Sequence, residues 1–331
     1  MKKILIAILA VTGLVACSQD QLVEAPKSVA IAFDNAFVNN STRATDITKA
    51  TLTDFGVYGS VEKAVGSEIQ QGLIFTNQRV YKSGDAFIYS PAQYWIANAQ
   101  YDFVAIAPYT DAKWTYDTTD AKNGTLTLNN GNDGAQGEQD LLFAYTKPEK
   151  TAATITAAPA KVGFTFGHLL SKVLFSFKNT FTDGKISLKV YDVKINNTAA
   201  NGTVAVDNGV VGAWVGTNDY SRAFGPATAD TVAEIANNDT LTTEYFYLIP
   251  VQREYNVSFK VDIYQAGVEL GTYTHNITTT INLEKGKSYS LSANLAPNNV
   301  NPNSQLYPIE FQVDDITDWT QAPTQNIVSN N

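Results

Sequence analysis

The chain has 331 residues, 44% of them hydrophobic and 11% aromatic, which is ample material for packed cores and excludes disorder as its dominant state. Its formal net charge is −9 with no basic run, so its field repels nucleic-acid phosphates and anionic lipid headgroups. The only cysteine is Cys17, which leaves no disulfide and puts the burden of stability on sheets and cores.

The first element along the chain is a signal. Met1-Lys2-Lys3 is cationic, residues 4–15 are apolar, and Leu14-Val15-Ala16 places small residues before Cys17. Such a run is too short to span a bilayer as a mature helix, and the small residues let a signal peptidase reach extended backbone. Residues 1–16 therefore read as a lipoprotein signal peptide and Cys17 as the lipidated first residue. Acyl chains there bury methylenes at about 0.8 kcal/mol each, enough to anchor the protein without a transmembrane helix.

Residues 18–27 are polar and form a tether. Strand patterns take over from Val29. Val29, Ile31 and Phe33 are apolar at period two, and Asn35, Asn39, Asn40 and Ser41 then lead to Arg43 through a stretch open to proteases. Strand-length runs follow at 54–58, 101–106, 164–166, 172–178, 186–190, 244–249 and 256–264. The last alternates most cleanly, with Val257, Phe259, Val261 and Ile263 on one face, as in a half-solvated antiparallel strand. Asp183-Gly184, Asn201-Gly202, Asn208-Gly209 and the cluster 129–134 supply the positive φ angles of tight turns. No amphipathic helix longer than about two turns stands out, so the fold is all-β with antiparallel connectivity. A soft prior of roughly 150 residues per domain gives two domains. The weak pattern of residues 151–160 sets their junction near 165, which divides the chain into 17–43 (tether and N-terminal strand), 44–165 and 166–331.

Chemistry is sparse. His168 and His275 are the only histidines, far apart in sequence, and neither has ligands or a base at a workable spacing. Gly131, Gly134 and Gly137 imitate a phosphate loop, but no Gly-Lys-Ser/Thr follows. Asp314, Asp315 and Asp318 lie on a strand pattern, where neighbouring side chains point to opposite faces, so they read as solvated acids. No catalytic residues, metal site or cofactor are expected. Trp95, Trp114, Trp214 and Trp319 fit core or rim positions better than a sugar platform.

Several segments, taken in order, resemble the fimbrillin family of Bacteroidales, the subunits of type V pili. They are the lipobox 14–17, Asn40-Ser41-Thr42-Arg43-Ala44, Gln139-Asp140-Leu141-Leu142-Phe143-Ala144, Phe166-Gly167-His168-Leu169-Leu170-Ser171-Lys172-Val173, Tyr247-Leu248-Ile249-Pro250, and residues 311–319 from Phe311 to Trp319. The resemblance spans nearly the whole chain and departs at Leu169-Leu170, where the family pattern has Ala-Leu after the histidine. It implies two transthyretin-like antiparallel β-sandwich domains in tandem and export as an outer-membrane lipoprotein. It also implies cleavage between Arg43 and Ala44 by an arginine-specific protease, and polymerisation with other fimbrial subunits by donor strand exchange at the cell surface, contributing to adhesion.

The residues support the same mechanism. Ile309, Phe311 and Val313 form a second period-two triad, with Glu310, Gln312 and Asp314 opposite, inside a candidate donor strand at 307–320. Each large side chain of either triad is worth about 1.5–3 kcal/mol when buried, so the segment bearing Val29, Ile31 and Phe33 and the C-terminal one are interchangeable covers for one groove. The competing reading is a surface glycan-binding lipoprotein, which needs an exposed row of coplanar aromatics that includes Trp114 or Trp214. Asp-Thr triplets at Thr118, Thr231 and Thr240 also resemble O-glycosylation acceptors of Bacteroidales envelope proteins.

Overall fold

A computed structural model describes residues 29–38, 47, 51–109, 113–129, 140–155, 157–301 and 308–318. Cys17, Arg43, Ala44 and Trp319 lie outside the described residues, as does most of the glycine cluster.

The first half contributes β1 (Phe33–Val38), β2 (Asp54–Val65), β3 (Glu68–Ser83), β4 (Ala86–Ile88), β5 (Ala99–Ala107), β6 (Trp114–Asp120), β7 (Asn123–Leu128), β8 (Leu142–Thr146) and β9 (Val162–His168). The second contributes β10 (Ser171–Asn179), β11 (Ile186–Asp207), β12 (Val210–Ala223), a 3-10 turn at Ala229–Thr231, β13 (Thr240–Thr242), β14 (Phe246–Leu248), β15 (Arg253–Gln265), β16 (Val268–Ile281), β17 (Lys287–Leu295) and β18 (Gln312–Asp318). The fold is all-β, as the patterns predict.

Strands of the first half close into a ring in the order β1-β4-β3-β2-β5-β8-β9. The second half is a sandwich. One sheet runs β13-β10-β17-β18, with β14 also on β10; the other runs β16-β15-β11-β7-β6, with β12 also on β11. Val173, Phe175, Phe177 and Leu291 from the first sheet meet Leu188, Val190, Val257, Phe259 and Val261 from the second in one core. That is the inward face predicted for 256–264.

The near-continuous apolar run of β5 has a separate cause. Tyr101, Phe103, Ala105 and Ala107 face the core inside the ring, while Val104 and Ile106 face a second core behind it. A strand covered on both sides has no reason to alternate. The core behind the ring joins the two halves: Tyr58, Trp114, Leu126 and Phe143 meet Leu169, Val204, Trp214, Tyr247 and Ile249 there. The β6–β7 hairpin reaches it by adding to the sheet of the second half, from Gly124↔Val206 to Leu128↔Gly202. Residues 151–160 connect β8 to β9 within the ring, and positions 165 and 166 both lie in β9.

Asn208-Gly209 forms the predicted tight turn, with φ of 48° and 77° between β11 and β12. Asn201-Gly202 does not turn: it lies within the 22-residue β11. A Cβ on Gly202 would sit 3.0 Å from Trp214 and 3.1 Å from Ile249, so close packing rather than backbone freedom selects glycine there.

His275 is buried on β16 and stacks on Phe259 at 5.0 Å. Burial holds its imidazole below the usual 6.5, opposed in part by a hydrogen bond to the Val300 backbone. On acidification the unfolded chain takes up this proton first, so stability falls below pH ~6.5 by up to about 1.4 kcal/mol per pH unit until the folded value is reached. Urea midpoints at pH 7.5 and 5.5 should drop further for the wild type than for His275→Gln.

Candidate functional site: a strand-filled groove

The N-terminal triad lies in the seam of the ring. β1 joins β4 to β9, pairing antiparallel with β4 at Phe33↔Phe87 and parallel with β9 from Phe33↔Val162 to Val38↔Phe166. Just before it, the Trp95 N–H donates to the Val29 carbonyl (2.9 Å), the Ile31 N–H to the Gln93 carbonyl (2.8 Å) and the Val162 N–H to the Ala32 carbonyl (2.8 Å). The Tyr89 hydroxyl donates to the Ile31 carbonyl at 2.8 Å. Burial pushes that phenol above its usual 10.0, so it keeps its proton at physiological pH.

Side chains complete the seal. Ile31, Phe33 and Ala36 are 2%, 3% and 2% exposed. The Phe33 ring lies 5.3–6.2 Å from Phe75, Tyr89, Phe103 and Phe164, and Phe55 extends this aromatic floor to Phe164, Phe166 and Phe87. Lifting residues 29–38 out would uncover the floor and free the backbone groups of Gln93, Trp95 and Val162. That combination is a template for another extended segment.

The C-terminal triad is split. Ile309 is 3% exposed in the core of its own half, and the half-buried Phe311 ring lies 5.2, 5.9 and 6.0 Å from Phe175, Phe177 and Phe259. Val313, expected on the same apolar face, is 41% exposed. It stands on β18, the outermost strand of its sheet, which pairs antiparallel with β17 from Ser292↔Gln312 to Lys287↔Asp318.

The structure also joins two segments that spacing rules could not. His168 Nδ1 lies 2.7 Å from Asp140 Oδ2, 28 residues apart, linking the run that ends at Ala144 to the run that begins at Phe166. The common signal was that both runs carry the family resemblance. The pair is buried at the end of β9. Among the described residues no group of three or more His, Cys, Asp or Glu could hold a metal ion, and no helix is long and apolar enough to cross a membrane. Trp95, Trp114 and Trp214 are buried, so none of them lies in an exposed stacking row. Thr231 and Thr240 are exposed, whereas the Thr118 hydroxyl is bonded to the Asp120 and Asn123 carbonyls.

Residues 42–315 match the model of a fimbrillin-like family. No curated protein matches the sequence. A crystal structure of a protein assigned to cell adhesion, from Bacteroides ovatus, aligns with a TM-score of 0.50 at 18% identity over 91% of this chain and 100% of that one. A second such protein, from Bacteroides uniformis, gives 0.47 at 18% over 88% and 99%. The fimbrial anchor protein Mfa2 from Porphyromonas gingivalis gives 0.39 at 12% over 88% and 97%. Likeness at such identities is a likeness of fold, but the family match takes in most of the sequence, and the chain belongs to the fimbrillin-like family.

Proposed function

We propose that the protein is a non-enzymatic structural subunit of a cell-surface fimbria. It is exported as a lipoprotein held at the outer membrane through Cys17, cut between Arg43 and Ala44 by an arginine-specific protease, and joined to a neighbouring subunit by a donor strand that replaces residues 29–38. The ring and the sandwich are the two tandem domains of this reading. The observation that carries it is the place of β1: the strand nearest the cleavage site is the one that closes the ring. Ile31 and Phe33 together hold about 3–6 kcal/mol of burial, so their loss leaves a groove that another apolar strand fills with comparable gain.

The test is to treat purified precursor with an arginine-specific protease and run the product on gels without heating. Wild type should give a ladder whose bands begin at Ala44 by N-terminal sequencing, and Arg43→Ala should stay uncut and monomeric. Clean cleavage at Arg43 that leaves a monomer at high concentration would sink the proposal.

A further inference from the structure

The two terminal segments share more than their triads. Val29, Ile31 and Phe33 are followed, after Asp34-Asn35, by Ala36; Ile309, Phe311 and Val313 are followed, after Asp314-Asp315, by Ile316. In both, the apolar side changes parity at the same place. One extra residue in a strand does that, because it shifts every later side chain to the other face. Both strands carry that extra residue there. The three-residue step from Phe33 to Ala36 in β1 meets the two-residue step from Val162 to Phe164 in β9. The two-residue step from Val313 to Asp315 in β18 meets the single step from Leu291 to Ser290 in β17. The outward positions agree as well: Ala30 is exposed and Ala32 half-buried, opposite the exposed Glu310 and Gln312 in the alignment.

We propose that residues 309–318 of a second copy occupy the groove in the same direction as β1, parallel to β9. Their register sets Ile309 at Val29, Phe311 at Ile31, Val313 at Phe33 and Ile316 at Ala36. This rests on the strand-exchange reading above and adds the direction and register of the donor. Ile309 and Phe311 trade the cover of their own half for that of the groove, whereas Val313, 41% exposed at home, gains cover only in the neighbour. Val313 at Phe33's place gives up volume near the point where Ile316 at Ala36's place adds it, which keeps the packing of the floor balanced. Asp318 falls at Val38, the last residue of β1. A reversed strand with Ile316 at Phe33 and Val313 at Ala36 would instead put Asp318 at the buried position of Ile31.

Cleavage at Arg43 removes Cys17, the only cysteine, so introduced cysteines report alone. Thr165 on β9 is exposed and opposite Phe37, whose counterpart in the proposed register is Thr317. Thr165→Cys and Thr317→Cys proteins, each cut, mixed, assembled and oxidised with copper phenanthroline, should give a covalent dimer that survives heating. The yield should exceed by at least tenfold that from Thr165→Cys mixed with Gln312→Cys, the position a reversed strand would bring to Thr165. Cross-linking through Gln312→Cys would overturn the direction, and ladders without a Thr165–Thr317 cross-link would overturn the register while strand exchange stood. Cut protein that forms no ladder would overturn both. A synthetic peptide of residues 308–319 carrying Thr317→Cys, offered to cut Thr165→Cys protein, should cross-link in the same way and does not depend on the folding of a second variant chain.

Discussion

Phe33→Ala should weaken the uncut precursor by about 3–5 kcal/mol and leave the assembled polymer as stable as wild type. The first half of that result follows from the groove. The Phe33 ring is 3% exposed and touches four other rings, held by strands on both sides, so its removal leaves a cavity whose walls cannot close. The second half follows from strand replacement: residue 33 departs with the segment up to Arg43 and has no counterpart in the polymer. Urea unfolding of the precursor measures the first effect, and the temperature at which unheated ladders dissociate measures the second. A Phe33→Ala ladder that dissociates well below the wild-type temperature would mean that residue 33 stays in the groove.

How far the sequence could be read depended on how local each constraint was. The alternation of 256–264 is set by one strand with one largely polar face, and its apolar side was legible residue by residue, whereas Asp262 on the other side is 3% exposed and accepts hydrogen bonds from the Tyr191 and Thr272 hydroxyls. The run 101–106 was legible as a strand, but its two covered faces depend on which sheets lie in front and behind. Asn201-Gly202 misled because a glycine selected by the bulk of Trp214 and Ile249 looks the same as one selected by backbone conformation. The β6–β7 hairpin was invisible as a bridge, since its partner Val206 lies some 80 residues away and nothing in its own pattern names that edge. The Asp140–His168 contact was hidden for the same reason. Within the candidate site, the burial of Ile31 and Phe33 was legible because large residues at period two demand a shared cover, while Val29 is half-buried and the strand itself begins only at Phe33. The fate of Val313 was not, because its exposure comes from the place of β18 at the edge of a sheet.

That exposure separates assembly from folding in a way Phe311 does not. Phe311→Asp would set a carboxylate against Phe175, Phe177 and Phe259 and should cost several kcal/mol in the precursor itself, so lost ladders from that variant would report on the fold of its own half. Val313→Asp changes a side chain that is already 41% in water and should alter precursor stability by no more than about 0.5 kcal/mol. In a neighbour's groove the same residue takes the place of Phe33, among Phe75, Phe103 and Phe164, where an unpaired charge has neither solvent nor partner. A penalty of about 3 kcal/mol there weakens each junction more than 100-fold, enough to remove the ladder at concentrations where wild type polymerises. The measurement pairs urea unfolding of the uncut variant with unheated gels after cleavage at Arg43. A normal midpoint with no ladder is the expected result, whereas wild-type ladders from Val313→Asp would place the donor strand, or its register, elsewhere in the chain.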